Sequence, residues 1–477
     1  MSPALWSLEE AAAAIGAAPR GTGAAPIHGV SIDTRRLAPG DLFFAIKGEN
    51  RDGHDFVDQA MEKGATAVVS IAKSFAMPST HRLFVVEDPF EALRRLGRAA
   101  RARTKARLIA VTGSVGKTGT KEALRQVLGA QKKTHAPVAS YNNHWGVPLT
   151  LARLPQDAAF AVSEIGMNAP GEIRPLAAMA RPHAALVTTV EPVHLEFFPS
   201  VAAIADAKAE IFSGLEPGGT AIINIDNAQS ERLKAHALAS PAGRIVAFGT
   251  SEKADIRLVS LEEDERGSDA VIDIFGKRLS CRIGMPGRHI AMNMLGVLAG
   301  VQALGADVEA AGAALAALAP PEGRGARIAL HPPGGEALLI DESYNANPAS
   351  MRAMLANLAR LSPGRGGRRV AVLGDMLELG PEAPRFHAEL VEPIAHARID
   401  LVHASGPMMR HLFEALPSSR RGHYAATSAE LEPAVVEAVQ AGDIVAVKGS
   451  LGSRMGRIVQ ALRTRHGSPE EMSRPPC

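Results

Sequence analysis

The stretch "AVTGSVGKTGTKEAL", Ala110–Leu124, decides the fold. An apolar strand runs into Gly113, the loop continues to Gly116-Lys117-Thr118, and a helix-forming segment follows. Glycines let backbone N–H groups crowd around phosphate oxygens. The helix N-terminus adds the positive end of a dipole, and the lysine reaches the terminal phosphates. Thr118 would offer its hydroxyl to Mg²⁺. Gly113, Ser114, Val115, Gly116, Lys117, Thr118 and Gly119 are therefore the candidate contacts to a nucleotide. Val111 stands where the longer G-x-x-x-x-G-K-T form has its first glycine, so this is a shortened G-x-x-G-K-T loop. A glycine turn with an exposed lysine is the bland reading, and strand, loop and helix in succession favour the phosphate loop.

Outward from this loop, strands alternate with helices to about residue 320, as in "AFAVSEIG", "AALVTTVEP" and "TAIINIDN". Such alternation implies parallel strands with crossover helices. Glu164 ends one strand and His194 lies just past another, which puts both on the sheet edge that carries the loop. A carboxylate and an imidazole there could complete magnesium coordination; a helix cap and a solvated histidine are the alternatives. Pro320, Pro321 and "EGRGAR" mark a boundary, and four apolar strands ending in polar loops follow, a second doubly wound sheet. The reading is an α/β protein of three domains: a small α/β unit over 1–105, a central phosphate-loop unit with a mostly parallel sheet over 106–322, and a Rossmann-like unit over 323–466, with a disordered tail over 467–477.

The chain's 477 residues suit three domains of roughly 150 each. Lys plus Arg (52) nearly balances Asp plus Glu (50), which argues against a nucleic-acid or polybasic membrane binder. Aromatics make up 4% of the chain, so base-stacking platforms are poor bets. Cys281 and Cys477 cannot build a disulfide framework or zinc ribbon and fit a reducing compartment. No apolar run reaches the roughly 18 residues of a membrane span, and "MSPALWSLEEAAAAIG" reads as a helix and not as a signal peptide. A cytoplasmic protein is expected.

Further motifs follow in order: "SYNNHWGVPLTL" (140–151), "SEIGMNAPGEI" (163–173), "EPVHLEFF" (191–198), "AKAEIF" (207–212), "GRHIAMNML" (287–295), "DESYNANPASM" (341–351), "GDMLELG" (374–380) and "VKGS" (447–450). With "TGSVGKT" they resemble the Mur ligases of peptidoglycan synthesis across essentially all of residues 28–460. The resemblance implies ATP and Mg²⁺ as cofactors and a fold whose domains hold a UDP-muramyl nucleotide, ATP and an amino component. Within the family, "SYNANP" and "GDMLELG" resemble the member that joins D-alanyl-D-alanine to UDP-N-acetylmuramoyl-tripeptide through an acyl phosphate. The family's third-residue-adding ligase, folylpolyglutamate synthase and a P-loop ATPase without ligase chemistry are the alternatives. A monomer is expected, with no nucleic acid and no membrane insertion. The third stem residue, lysine or diaminopimelate, stays open.

The resemblance also implies roles. Lys117 would hold the β- and γ-phosphates, Thr118 and Glu164 a first Mg²⁺, and His194 a second. Lys208 matches a lysine that is carbamylated in related ligases and would then bind metal. His289 and Asn293 fall to adenine, although Ile290 departs from the family's usual asparagine. Arg324, Asp341, Tyr344, Asn345 and Asn347 would face the nucleotide once the last domain closes. Ser31, Asp33, Thr34 and Arg35 match the uridine-binding segment, and Asn142 and Asn143 are further substrate contacts. Lys448 and Ser450 are expected to take the carboxylate of the dipeptide, whereas His387 and His403 read as structural or solvated.

Overall fold

The computed structural model describes residues 4–21, 26–73, 82–193, 195–321 and 323–467, and places them around three sheets. His194 and the tail from 468 onward lie outside the described residues.

The phosphate-loop strand Arg107–Thr112 lies inside a nine-stranded sheet, flanked in parallel by Phe160–Glu164 and Ala184–Val187. Its continuous apolar run has a direct cause. Ile109 and Val111 feed a core on one face of the sheet, while Leu108 and Ala110 feed a second core on the other. A strand covered on both faces has no polar side to alternate with. Thr220–Asn224 and Arg244–Gly249 extend the parallel array.

Beyond them the expected strand–helix alternation fails. Ile256–Asp264, Gly267–Ile274 and Lys277–Ile283 form an antiparallel meander at the sheet edge. The turn between the last two places Phe275 and Gly276 at positive φ (50° and 85°), the geometry of a tight hairpin. Along Ala270–Ile274 buried residues alternate with half-buried ones, as in antiparallel strands with one covered face. Cys281 sits free on this meander, and burial pushes its thiol up to about 11, which leaves it protonated and unreactive.

The N-terminal sheet runs in the order Pro19–Arg20, Leu83–Val86, Thr66–Ser70, Asp41–Phe44, Gly29–Ser31, parallel apart from the first pair. The Arg/Ala-rich stretch before the phosphate-loop strand is the helix Pro89–Arg103, started by an Asp88 cap and Pro89. Gly97 on this helix lies where a Cβ would meet the Pro148 carbonyl at 2.9 Å, so only glycine lets the helix Gly146–Ala152 pack this close.

The C-terminal sheet contains the four expected strands, Ala337–Glu342, Ile444–Lys448, Arg369–Gly374 and Leu401–Ser405, all parallel. Two more complete it: Ala326–Leu330, antiparallel at one edge, and Arg421–Ala425 at the other. The polar loops therefore gather at the carboxyl ends of the parallel strands, the edge where such sheets bind ligands.

Candidate active site

The loop Gly113–Thr118 leaves its strand with Gly113 at φ 150° and Gly116 at φ 87°. Both positions are closed to other residues. A Cβ on Gly113 would sit 1.9 Å from Thr188 Oγ1, and one on Gly116 would sit 2.7 Å from Asn293 Nδ2. Asn293, read from sequence as an adenine contact, therefore packs directly on the phosphate loop. The helix Lys117–Gly129 starts without any side-chain cap, which leaves its first-turn N–H groups to an anion. Ser114 is tied down by its N–H donating to Thr189 O and its hydroxyl to Glu191 O.

Beside the loop stands Glu164, buried at 1% exposure. Thr118 donates to its Oε1 at 3.2 Å and Asn142 Nδ2 to the same atom at 2.7 Å. Its Oε2 is buried and has no hydrogen-bond partner among the described residues. A desolvated carboxylate oxygen without a donor is costly, and next to a threonine hydroxyl it suits a hard divalent cation. Ser140 lies 3.3 Å from the Thr118 hydroxyl.

Two lysines complete this end. Lys117 Nζ donates to Gly113 O at 2.6 Å, folding back over its own loop. Burial pulls its pKa down, the Glu164 carboxylate opposes this, and the Arg324 charge adds to the lowering. Lys208, on the helix Val201–Ala209, is 1% exposed. Burial pushes its amine well below the ordinary lysine range, and the Lys117 charge pushes it further. An amine held as the free base is the chemical precondition for carbamylation.

The C-terminal loops meet this edge through Arg324, whose guanidinium lies 4.3 Å from the Tyr344 ring centre. Asp341 accepts from the N–H and hydroxyl of Ser343, and Asn345 Oδ1 accepts from Ala346 N. Asn347 caps the helix Pro348–Arg360, accepting from Ser350 N at 2.9 Å. Lys448 is not a free cation awaiting a carboxylate. It is 2% exposed and donates to Glu342 Oε2 at 3.0 Å and Asn345 O at 2.9 Å. A 3-10 turn, Leu451–Ser453, follows Ser450, and the α-helix beyond it begins at Gly456. Ser450 is a latch between loops: its hydroxyl accepts from Leu377 N and donates to Ala346 O. His387 is structural, accepting from Met376 N and bonded to Ala383 O.

Against protein-family models, residues 26–103 match the Mur ligase family catalytic domain, 111–301 the Mur ligase middle domain, and 323–451 the Mur ligase glutamate ligase domain. The chain belongs to the Mur ligase family. It is 36% identical over 440 residues to the UDP-N-acetylmuramoyl-tripeptide–D-alanyl-D-alanine ligase of Escherichia coli, covering 92% of this chain and 94% of that one. The Rickettsia prowazekii protein of the same name is 33% identical over 430 residues, covering 90% and 94%. Among solved structures, MurF from Acinetobacter baumannii superposes with a TM-score of 0.82 at 27% identity, covering 96% and 99%. MurF ligase from Thermotoga maritima in complex with ADP gives 0.73 at 25% identity, covering 92% and 97%.

In this Mur ligase the structure groups the predicted residues unevenly. Lys117, Thr118, Glu164, Asn142, Asn293 and Lys208 surround the phosphate loop, and Arg324 reaches it from the C-terminal side. His289 is solvent-accessible at the start of the helix Arg288–Ala303, where the charges of Glu342 and Lys448 reach it. Ser31, Asp33, Thr34 and Arg35 form a closed turn far along the chain from the loop: Ser31 Oγ accepts from Asp33 N, and Arg35 pairs with Asp33 at 2.6 Å. Asn143 caps the next helix through Trp145 N and Gly146 N. Sequence reasoning passed over Ser140 and Thr188. Ser140 opens a quoted motif, but nothing in the local text marks Thr188 as the residue that closes on Gly113.

Proposed function

We propose that this Mur ligase joins D-alanyl-D-alanine to UDP-N-acetylmuramoyl-tripeptide at the expense of ATP, as a cytoplasmic monomer. The γ-phosphoryl of ATP passes to the tripeptide carboxylate, giving an acyl phosphate and ADP. The dipeptide amine then attacks the acyl carbon, and inorganic phosphate leaves. Phosphoryl transfer between two anions needs placement and cationic shielding more than covalent help.

The chain's own residues divide that work. The uncapped helix start and the loop N–H groups take the polyphosphate, and Lys117 turns from Gly113 O to the β- and γ-phosphates. Arg324 adds positive charge from the C-terminal side. Thr118 and Glu164 would hold Mg²⁺, with His194 and a carbamylated Lys208 as the further ligands. The ion would neutralise charge developing on the transferring phosphoryl group. Loss of one carbon dioxide from Lys208 on acidification, read by mass spectrometry, would reveal the carbamate. The N-terminal unit takes the UDP end and the C-terminal strand-end loops bring the dipeptide. Since Lys448 is committed to Glu342, the dipeptide carboxylate is met by other groups of those loops.

The observation that carries this reading is the orphaned Glu164 Oε2 beside Thr118, with the buried Lys208 close by, in a chain aligned nearly end to end with ligases of that name. ADP release with UDP-muramyl-tripeptide should depend on added D-alanyl-D-alanine, and Lys117→Ala should abolish it. Release that ignores the dipeptide would point instead to an ATPase.

A further inference from the structure

A fully buried lysine lies outside the work assigned so far. Lys121, on the helix Lys117–Gly129 that the phosphate loop opens, is 0% exposed. Its amine pairs with Glu122 and donates to Pro137 O at 3.0 Å. Burying an ammonium is expensive, and an apolar side chain of similar length would fill that space without the cost. The partners show why the charge is kept. Glu122 already has Arg125 at 2.7 Å, so its carboxylate does not depend on the lysine. Pro137 is buried in a stretch, 136–140, that belongs to no helix or strand. A buried carbonyl there needs a donor, and Lys121 supplies it.

The grip is repeated one turn away. Thr118 stands on the same helix face as Lys121, and its hydroxyl lies 3.3 Å from Ser140 Oγ. The stretch therefore runs antiparallel to the first turn of the helix, Pro137 on Lys121 and Ser140 on Thr118. Two tight turns carry it on: Tyr141 N donates to Ala139 O at 2.8 Å and Asn142 N to Ser140 O at 2.9 Å. Such turns leave little slack between the helix and Asn142. Asn142 is held from its far side as well, its carbonyl accepting from Gly166 N at 2.8 Å. Its amide then meets Glu164 Oε1 at 2.7 Å, beside the Thr118 hydroxyl at 3.2 Å. With both donors on Oε1, the orphaned Oε2 is the oxygen left to a cation.

We propose that Lys121 is a positioning residue for the cation site: by holding Pro137 O it sets Asn142 on Glu164 Oε1 and keeps Oε2 turned to Mg²⁺. This rests on the reading above in which Thr118 and Glu164 hold Mg²⁺. Lys121 acts at one remove, through Asn142.

Lys121→Met keeps the apolar stem and removes the donor, and Glu122 keeps Arg125. In metal-free full-length protein, hydrogen exchange over 138–147 should then quicken about ten-fold, while the helix Val201–Ala209 and the urea midpoint stay unchanged. In the ADP-release assay the variant should need about ten-fold more Mg²⁺ for half-maximal rate, as loss of a group that orients a metal ligand does. KM for D-alanyl-D-alanine should not move. Lys121→Gln, with a shorter reach, should reproduce both effects. Because the lysine acts through Asn142, adding Lys121→Met to Asn142→Leu should raise the Mg²⁺ requirement no further. Additive effects, or a wild-type exchange rate or Mg²⁺ requirement in Lys121→Met, would overturn the positioning role. Faster exchange throughout the chain with a lower urea midpoint would make Lys121 a packing element and overturn it too. Wild-type ADP release that ignores Mg²⁺, beside the expected exchange, would overturn the cation reading and leave the hold on Pro137 standing.

Discussion

A lysine amine buried beside a second cation is most stable without its proton, and Lys208 is such a group. Unfolded, it titrates near 10.4; folded, burial and Lys117 hold it well below that. Between the two values the unfolded chain carries the extra proton, so this residue makes stability rise with pH across that window and contributes no slope below it. Lys208→Met removes the slope. In carbon-dioxide-free buffer the variant should withstand more urea than the wild type at pH 7, and the gap should close towards about pH 10. A gap that ignores pH would show a protonated amine in the folded protein. At this same scale the chain was partly readable. Glu164 could be placed by its strand-end position alone, because register in a parallel sheet carries it to the loop. The competition for Lys448 was not readable, since Glu342 lies 106 residues away and meets it only through strand pairing.

Elements show a similar division. The helix Pro348–Arg360 opens with a reciprocal cap, Asn347 accepting from Ser350 N and Ser350 Oγ accepting from Asn347 N. Asn347→Ala should cost about 1 kcal/mol of folding stability in urea titrations, and an unchanged midpoint would contradict the cap. The family resemblance assigns this asparagine to the nucleotide; the structure gives its carbonyl oxygen a local duty first. The antiparallel meander Ile256–Ile283 could have been read from the period-two pattern of "DAVIDIFGKRLSCRI" and its Phe-Gly turn. The edge contact of the Phe90 and Trp145 rings could not, because the two come from different elements and neither is unusual in its own neighbourhood.

Across the whole molecule the two domain junctions differ in kind. The N-terminal and central units share a core: Leu149 and Ala152 pack with Trp6, Leu93 and Leu96. Arg101, 4% exposed, donates to Ala180 O and Arg181 O at 2.7 Å each. Towards the C-terminal unit, an ion pair between Arg360 and Glu263 lies partly in solvent. Arg101→Met leaves two carbonyls without their charged donor and should lower stability by about 2 kcal/mol. Arg360→Ala should cost under about 1 kcal/mol, because solvent screens the pair. Urea titrations that reverse this order would refute the contrast.

Local text determined the glycine loop 113–118, the parallel strands around it and the sheet edge where polar loops collect, because glycine conformation and burial on both faces of a strand leave marks within a dozen residues. Tertiary structure alone decided which cations are free. Lys448 and Arg35 are consumed by internal partners and Lys121 is buried against Pro137, while Lys47 and Arg51 stay exposed, with no ion pair among the described residues. Charge pairing and ring packing depend on residues brought together from separate elements, and spacing along the chain carries no record of them.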